Sequence, residues 1–187
     1  MKNALILQGW YQRPESNWYP WLKIELEKRG YRVHLPDLPT MHTDLPDMNK
    51  QLQFIDTLIA MDENTIVVGH SIGCLLAMRL AEKYIFKKMF LIAGWDFNDL
   101  SVEHRLFWTN PIDHAVIKQH VKEIYCLSSD NDPYTTAFTA EEMSKRLGGK
   151  FILLKGAGHF TAKDGVTTMP SILPYLEKGG LDERKNF

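Results

Sequence analysis

The sequence predicts an α/β fold, a parallel sheet covered by helices on both faces. Short apolar runs alternate with amphipathic stretches of helical period along the whole chain. The apolar runs are rich in Val, Ile, Leu and Phe and mostly do not alternate with polar residues, as expected of strands buried on both faces. Strand and helix taking turns in this way implies parallel strands joined by right-handed crossovers.

The strand candidates are residues 4–7, 32–35, 65–68, 89–92, 123–127 and 151–154. After the first, Trp18, Trp21, Leu22 and Leu26 share one face of a helix that Gly30 ends in a left-handed turn. Pro20 is tolerated there because it falls in the first turn. Met48, Leu52, Ile55 and Ile59 fit a second helix, and Cys74, Leu75, Leu76, Met78, Leu80 and Ala81 a third. Asp113 is placed to cap the segment HAVIKQHVK. Thr139 and Glu142 have the spacing of a capping box before a helix that ends at Gly148. Pro170 and Pro174 make the last helix short or kinked.

A chain of 187 residues suits one domain, expected over 1–178, followed by the polar tail GGLDERKNF at 179–187. Twenty-two basic and 23 acidic residues leave a net charge of -1, which excludes nucleic acid or a membrane surface held by bulk electrostatics. The longest apolar stretches, such as MFLIAGW at 89–95, are too short to cross a bilayer. MKNALILQGW reads as a first strand rather than a secretory leader, so the expected location is cytoplasmic. Cys74 and Cys126 form no C-x-x-C pair and read as small core residues, reduced in a cytosol.

In folds of this class ligands bind at the carboxyl ends of the strands. The third strand runs into Gly69-His70-Ser71-Ile72-Gly73, the fifth into Ser128-Ser129-Asp130-Asn131-Asp132-Pro133, and the sixth into Gly156-Ala157-Gly158-His159. A serine, an aspartate and a histidine therefore arrive at one edge in that chain order. G-x-S-x-G between strand and helix is the nucleophile-elbow pattern, whose tight turn leaves room only for small residues two positions either side of the serine. The N-terminus of the following helix then favours the negative charge of a tetrahedral intermediate. Asp132 is preferred as the acid, because Asp-Pro-Tyr turns into the next helix and leaves it at an exposed turn. Asp130 is the alternative, more suited to capping its own turn. His159 has the strand-then-turn context of a base; His70, adjacent to the serine, is given a supporting role or none. No H-E-x-x-H or comparable spacing exists, so neither metal nor cofactor is expected. The oxyanion donors are expected to be the backbone N–H of Ile72 and one from Gly9 or Trp10, with Trp10 favoured.

With these residues in place, the chain resembles the small, lid-less α/β-hydrolases of the retinoblastoma-binding-protein-9-like serine hydrolase group. The likeness spans residues 4–176 and rests on the QGW loop with Trp18 and Trp21, LPDLP at 35–39, VVGHSIG at 67–73, SSDNDPY at 128–134 and GAGHF at 156–160. It implies a six-stranded parallel sheet in the order 2-1-3-4-5-6, with nucleophile, acid and base at Ser71, Asp132 and His159. Relatives commonly carry Trp-Pro after the histidine loop where this chain has Met169-Pro170. Binding of a retinoblastoma-type protein is not implied, since no L-x-C-x-E segment is present.

Residues 96–122, where larger relatives insert a lid, offer one short helix and a loop. Trp10, Trp18, Trp95, Phe97 and Trp108 are candidates to line a shallow aromatic cleft, with Trp10 and Trp95 as substrate contacts. The expected activity is cleavage of small carboxylic esters or thioesters through an acyl-enzyme. The alternatives are acyl transfer by the same triad, or an interaction protein on a hydrolase scaffold with incidental esterase activity.

Overall fold

The computed structural model describes residues 2–108 and 110–177. Six strands, β1 (Lys2–Leu7), β2 (Tyr31–His34), β3 (Ile66–His70), β4 (Phe86–Ile92), β5 (Val121–Ser129) and β6 (Lys150–Leu154), form one parallel sheet in the order β2-β1-β3-β4-β5-β6. Between and after them run α1 (Tyr19–Lys28), α2 (Met48–Leu58), α3 (Gly73–Lys83), α4 (His114–His120), α5 (Ala137–Leu147) and the four-residue α6 (Leu173–Leu176).

Side chains of a strand alternate between faces, and the core divides accordingly. Leu5 and Leu7 of β1 join Met89 and Leu91 of β4 in a cluster under α2, α3, α4 and α5. Ala4 and Ile6 join Phe90 and Ile92 in the opposite cluster, under α1 and α6. Both faces are apolar, which is why the strands read as continuous hydrophobic runs. Among the described residues no helix is long and apolar enough to cross a membrane.

The sheet follows the expected order, and two local readings change. The segment read as HAVIKQHVK ends its helix at His120, because Val121 is drawn into β5 opposite Phe86. The α5 capping residue is Thr136, not Thr139: Thr136 is extended and its hydroxyl accepts the Thr139 N–H at 3.1 Å, while Glu142 accepts from Lys145. Asp113 caps α4 as expected, accepting from the N–H groups of Ala115 and Val116. The tail at 179–187 lies outside the described residues.

The register places Leu7 beside Gly69, Gly69 beside Leu91, and Ile92 beside Leu127, so the strand ends fall on one edge. At its centre the chain turns from β3 into α3 in two residues. Ser71 occupies the left-handed region at φ 54°, a conformation costing a non-glycine residue roughly 1–3 kcal/mol. Its N–H donates to the Ile92 carbonyl at 2.8 Å, which ties the strained residue to β4. A Cβ at Gly69 would lie 2.6 Å from the Gly73 carbonyl oxygen, and one at Gly73 2.6 Å from the carbonyl oxygens of both Leu7 and Gln8. These obstacles are backbone and cannot rotate away.

A second anchor lies just beyond β4. Asp96, 6% exposed, takes paired hydrogen bonds from Arg146 Nε and a terminal nitrogen of α5, both at 2.7 Å, and one from His114 Nε2 of α4 at 2.6 Å. Burial alone would raise its carboxyl pKa; the bonds from Arg146 and His114 and their charge outweigh burial and hold it low.

Two outcomes follow from these contacts. Gly73→Ala pushes α3 off β1 and is expected to destabilise the fold by about 3 kcal/mol, seen as a fall in Tm of roughly 6–12 °C. Asp96→Asn should destabilise by roughly 2–3 kcal/mol at neutral pH in urea titrations. Because the native carboxyl pKa is depressed, that contribution is fully present above about pH 5 and fades as the pH falls through the carboxylate range below about 4. The stability curves of variant and wild type should therefore converge in acid.

Candidate active site

Each of the three expected side chains stands at the end of a different strand, and they meet. Ser71 Oγ lies 3.0 Å from His159 Nε2, and His159 Nδ1 lies 2.9 and 3.0 Å from the two oxygens of Asp132. An ionised carboxylate only accepts, so Nδ1 carries the imidazole proton and Nε2 is free to accept from the serine hydroxyl.

The structure separates the two aspartates that follow β5. Asp130 accepts the Gly156 N–H at 2.8 Å and caps the histidine loop. Asp132 faces His159, but its side chain is fully buried rather than at an exposed turn. The reason is the Asp-Pro-Tyr-Thr turn, which folds back so that the N–H groups of Tyr134 and Thr135 donate to Oδ1 at 2.8 and 3.1 Å. Burial acts to raise the Asp132 pKa, and the bonds from His159, Tyr134 and Thr135 reverse it, so the group is held ionised below the usual range.

The loop carrying His159 has no regular structure, and side chains take the place of a ladder. Asp130 accepts from Gly156 N–H, Ser129 Oγ from Ala157 N–H, Asn131 Oδ1 from Gly158 N–H, and Asp164 from His159 N–H. Four consecutive backbone donors are thereby satisfied. The sequence reading passed over Ser129, Asn131 and Asp164; the run S-S-D-N of short acceptors directly after a strand was the available signal.

The two oxyanion candidates after β1 also differ in what they do. Gly9 N–H donates to the Tyr19 hydroxyl at 3.2 Å. The N–H groups of Trp10 and Ile72 have no hydrogen-bond acceptor among the described residues. Gly9 packs directly on Ser71, for a Cβ there would lie 3.2 Å from Ser71 Cβ, and Trp10 lines the same cleft as Ser71.

Ser71 and His159 open into a cleft of about 1070 Å³. Trp10, Trp95 and Phe97 line it, as expected, joined by Tyr134, whose ring meets His159 edge-on at 4.8 Å. Trp18 and Trp108 do not. Trp18 is fully buried on the α1 face, where its indole N–H donates to the Phe160 carbonyl at 3.0 Å, and Trp108 packs on the opposite core cluster. The cleft wall also contains an unforeseen pair: His104 Nδ1 lies 2.6 Å from Asp99, with the His104 ring between those of Trp10 and Trp95 at 5.2 and 5.7 Å. Among the described residues, 96–120 contain a 3-10 turn at Arg105–Phe107 and α4, and no described element covers Ser71 as a lid.

Comparison with known proteins shows the family and the fold of the chain. YdeN of Bacillus subtilis (strain 168) is 24% identical over 185 residues, spanning 94% of each chain. Its crystal structure shares the fold at a TM-score of 0.83 and 22% identity, covering 94% of this chain and 97% of that one. Serine hydrolase RBBP9 of Rattus norvegicus is 28% identical over 146 residues, 76% of this chain and 77% of the relative. The structural likeness extends at a TM-score of 0.64 and 12% identity to a carboxylesterase structure from the Thaumarchaeon Nitrososphaera gargenis, covering 85% of this chain and 83% of that one. Residues 4–178 match the profile of the family described as serine hydrolase, and the chain belongs to that family.

Proposed function

We propose that this chain is a carboxylesterase-type serine hydrolase that cleaves small carboxylic esters or thioesters through an acyl-enzyme on Ser71. One observation carries the reading: the unbroken path Ser71 Oγ, His159 Nε2, His159 Nδ1, Asp132, with every step at 3.0 Å or less. His159 takes the hydroxyl proton as Ser71 Oγ attacks the acyl carbon, and the resulting imidazolium lies against the ionised, buried Asp132. The carbonyl oxygen, gaining negative charge, is received by the unengaged N–H groups of Ile72 and Trp10 at the start of α3 and in the loop after β1. His159 then returns its proton to the leaving alcohol or thiol. Water attacks the acyl-enzyme by the same route in reverse.

The cleft supports the substrate class. It is open and walled by aromatic rings on the side of Trp10, Trp95 and Phe97. A short acyl group fills a small part of it, and the remaining volume admits a larger leaving group. The two free, buried thiols, Cys74 and Cys126, accord with the reducing interior of the cytoplasm as the place of action.

Exposure to a fluorophosphonate should add one probe mass to the wild type and none to Ser71→Ala, read by intact-mass spectrometry. The absence of an adduct on folded wild-type protein would overturn the proposal in favour of an interaction role for the scaffold. Asp132→Asn leaves the turn's N–H donors an acceptor but removes the charge that fixes the imidazole. Its kcat on a short-chain ester should fall by about 10³- to 10⁴-fold with KM little changed.

A further inference from the structure

The mechanism above leaves one buried imidazole without a task. His70, adjacent to the nucleophile, is 1% exposed and makes no hydrogen bond to Ser71 or Asp132. Both its ring nitrogens are nevertheless engaged. Nε2 lies 2.8 Å from the carbonyl oxygen of His159, and Nδ1 lies 2.6 Å from the Tyr19 hydroxyl. A carbonyl only accepts, so Nε2 carries the proton and Nδ1 receives the Tyr19 O–H. Tyr19, fully buried, in turn accepts the N–H of Gly9. The direction of each bond is thus fixed along the whole chain, from Gly9 through Tyr19 and His70 to His159.

The two ends of that chain matter. Gly9 precedes Trp10, whose N–H is the second oxyanion donor in the reading above. The His159 carbonyl belongs to the residue that carries the base. We propose that His70, together with Tyr19, is a positioning residue that locks the oxyanion loop after β1 and the histidine loop after β6 into register across the nucleophile. This proposal rests on the hydrolase reading for its consequence in catalysis, though not for the contacts themselves.

The ring is suited to the task because it stays neutral. Burial, and next the neighbouring His159, push its pKa down to about 3. A protonated ring would turn Nδ1 into a donor, reversing the Tyr19–His70 bond and taking away the acceptor of the Tyr19 O–H. The edge-on contact of its ring with Trp18, centroids 5.7 Å apart, holds its orientation from the α1 side. No glutamine or asparagine reaches both partners: Gln retains a donor near the Nε2 position and Asn an acceptor near Nδ1.

The test uses Tyr19→Phe, which keeps the ring and deletes one oxygen, with His70→Gln and His70→Leu beside it. On a short-chain ester, Tyr19→Phe should lower kcat by about 10- to 100-fold while KM stays within about threefold, since the change acts where charge develops. His70→Gln should lose less than His70→Leu. Adding Tyr19→Phe to His70→Leu should cost under about threefold more, because one chain is broken once. If His70→Leu does not fold, His70→Gln with Tyr19→Phe forms the cycle.

An independent readout is the ¹⁵N-histidine NMR spectrum. In the wild type it should show His70 as the Nε2–H tautomer and a low-field His159 Nδ1–H proton. Tyr19→Phe should shift or broaden that His159 proton. A folded Tyr19→Phe with a lowered Tm, kcat within twofold of wild type and an unmoved His159 proton would overturn the proposal. A wild type without ester turnover whose His159 proton still responds to Tyr19→Phe would keep the coupling and sink the hydrolase reading instead.

Discussion

Everything in this molecule's site depends on how closely α3 approaches the sheet. Two residues separate β3 from the helix, and the first-turn Gly73 lies against the carbonyls of Leu7, the last residue of β1, and of Gln8 just beyond it. Any side chain at Gly73 would lift the helix, and any at Gly69 would strike its first turn. With both absent, Ser71 is driven to φ 54° and its hydroxyl is presented at the sheet edge. The helix N-terminus is then directly behind Ser71, where its dipole would favour the negative charge that the proposed reaction develops. Strain of roughly 1–3 kcal/mol at one residue is small beside the apolar burial on both sides of the sheet, and that burial holds it.

The remaining groups come from loops, which have no ladder to stiffen them. The solution is uniform: short polar side chains at strand ends accept the N–H groups of the neighbouring loop. Asp130, Ser129, Asn131 and Asp164 do so for residues 156–159, and Asp132 does so for its own turn before it faces His159. An open site gains from this. With no lid among the described residues, the proposed hydrolysis would need its donors and base already in place.

Much of this was legible in the sequence, and the reason differs by level. The parallel α/β class followed from strand–helix alternation, because burial on both faces writes itself as unbroken apolar runs, and the strand order came from the family likeness alone. Ser71 was marked by glycines that a close backbone approach explains, and His159 by a G-A-G turn whose two glycines take positive φ. Asp132 was separable from Asp130 by its Asp-Pro-Tyr context, yet its full burial was not, since a turn residue normally faces water. The true α5 cap was hidden because T-T-A-F-T offers three threonines and only the backbone conformation chooses Thr136. Trp18 and Trp108 stood among the cleft candidates and pack elsewhere for a related reason: an aromatic side chain carries no mark of which face it will occupy.

Long-range polar contacts were the least visible class. Lys88, in the middle of β4, is fully buried, which no strand pattern would suggest for a lysine. It is accommodated because its ammonium meets the carbonyls of Tyr175 and Glu177 at 2.6 and 3.1 Å and the Glu123 carboxylate at 3.3 Å, fastening the end of α6 to the sheet. Tyr19, His70 and His159 are likewise 51 and 89 residues apart in sequence along their two bonds. Such contacts have no local period and no fixed spacing, so only the assembled fold reveals them. They also explain how a chain this small keeps a precise site. The apolar pattern fixes where the strands end, and a few buried polar side chains, each with all its partners present, fix how those ends face one another.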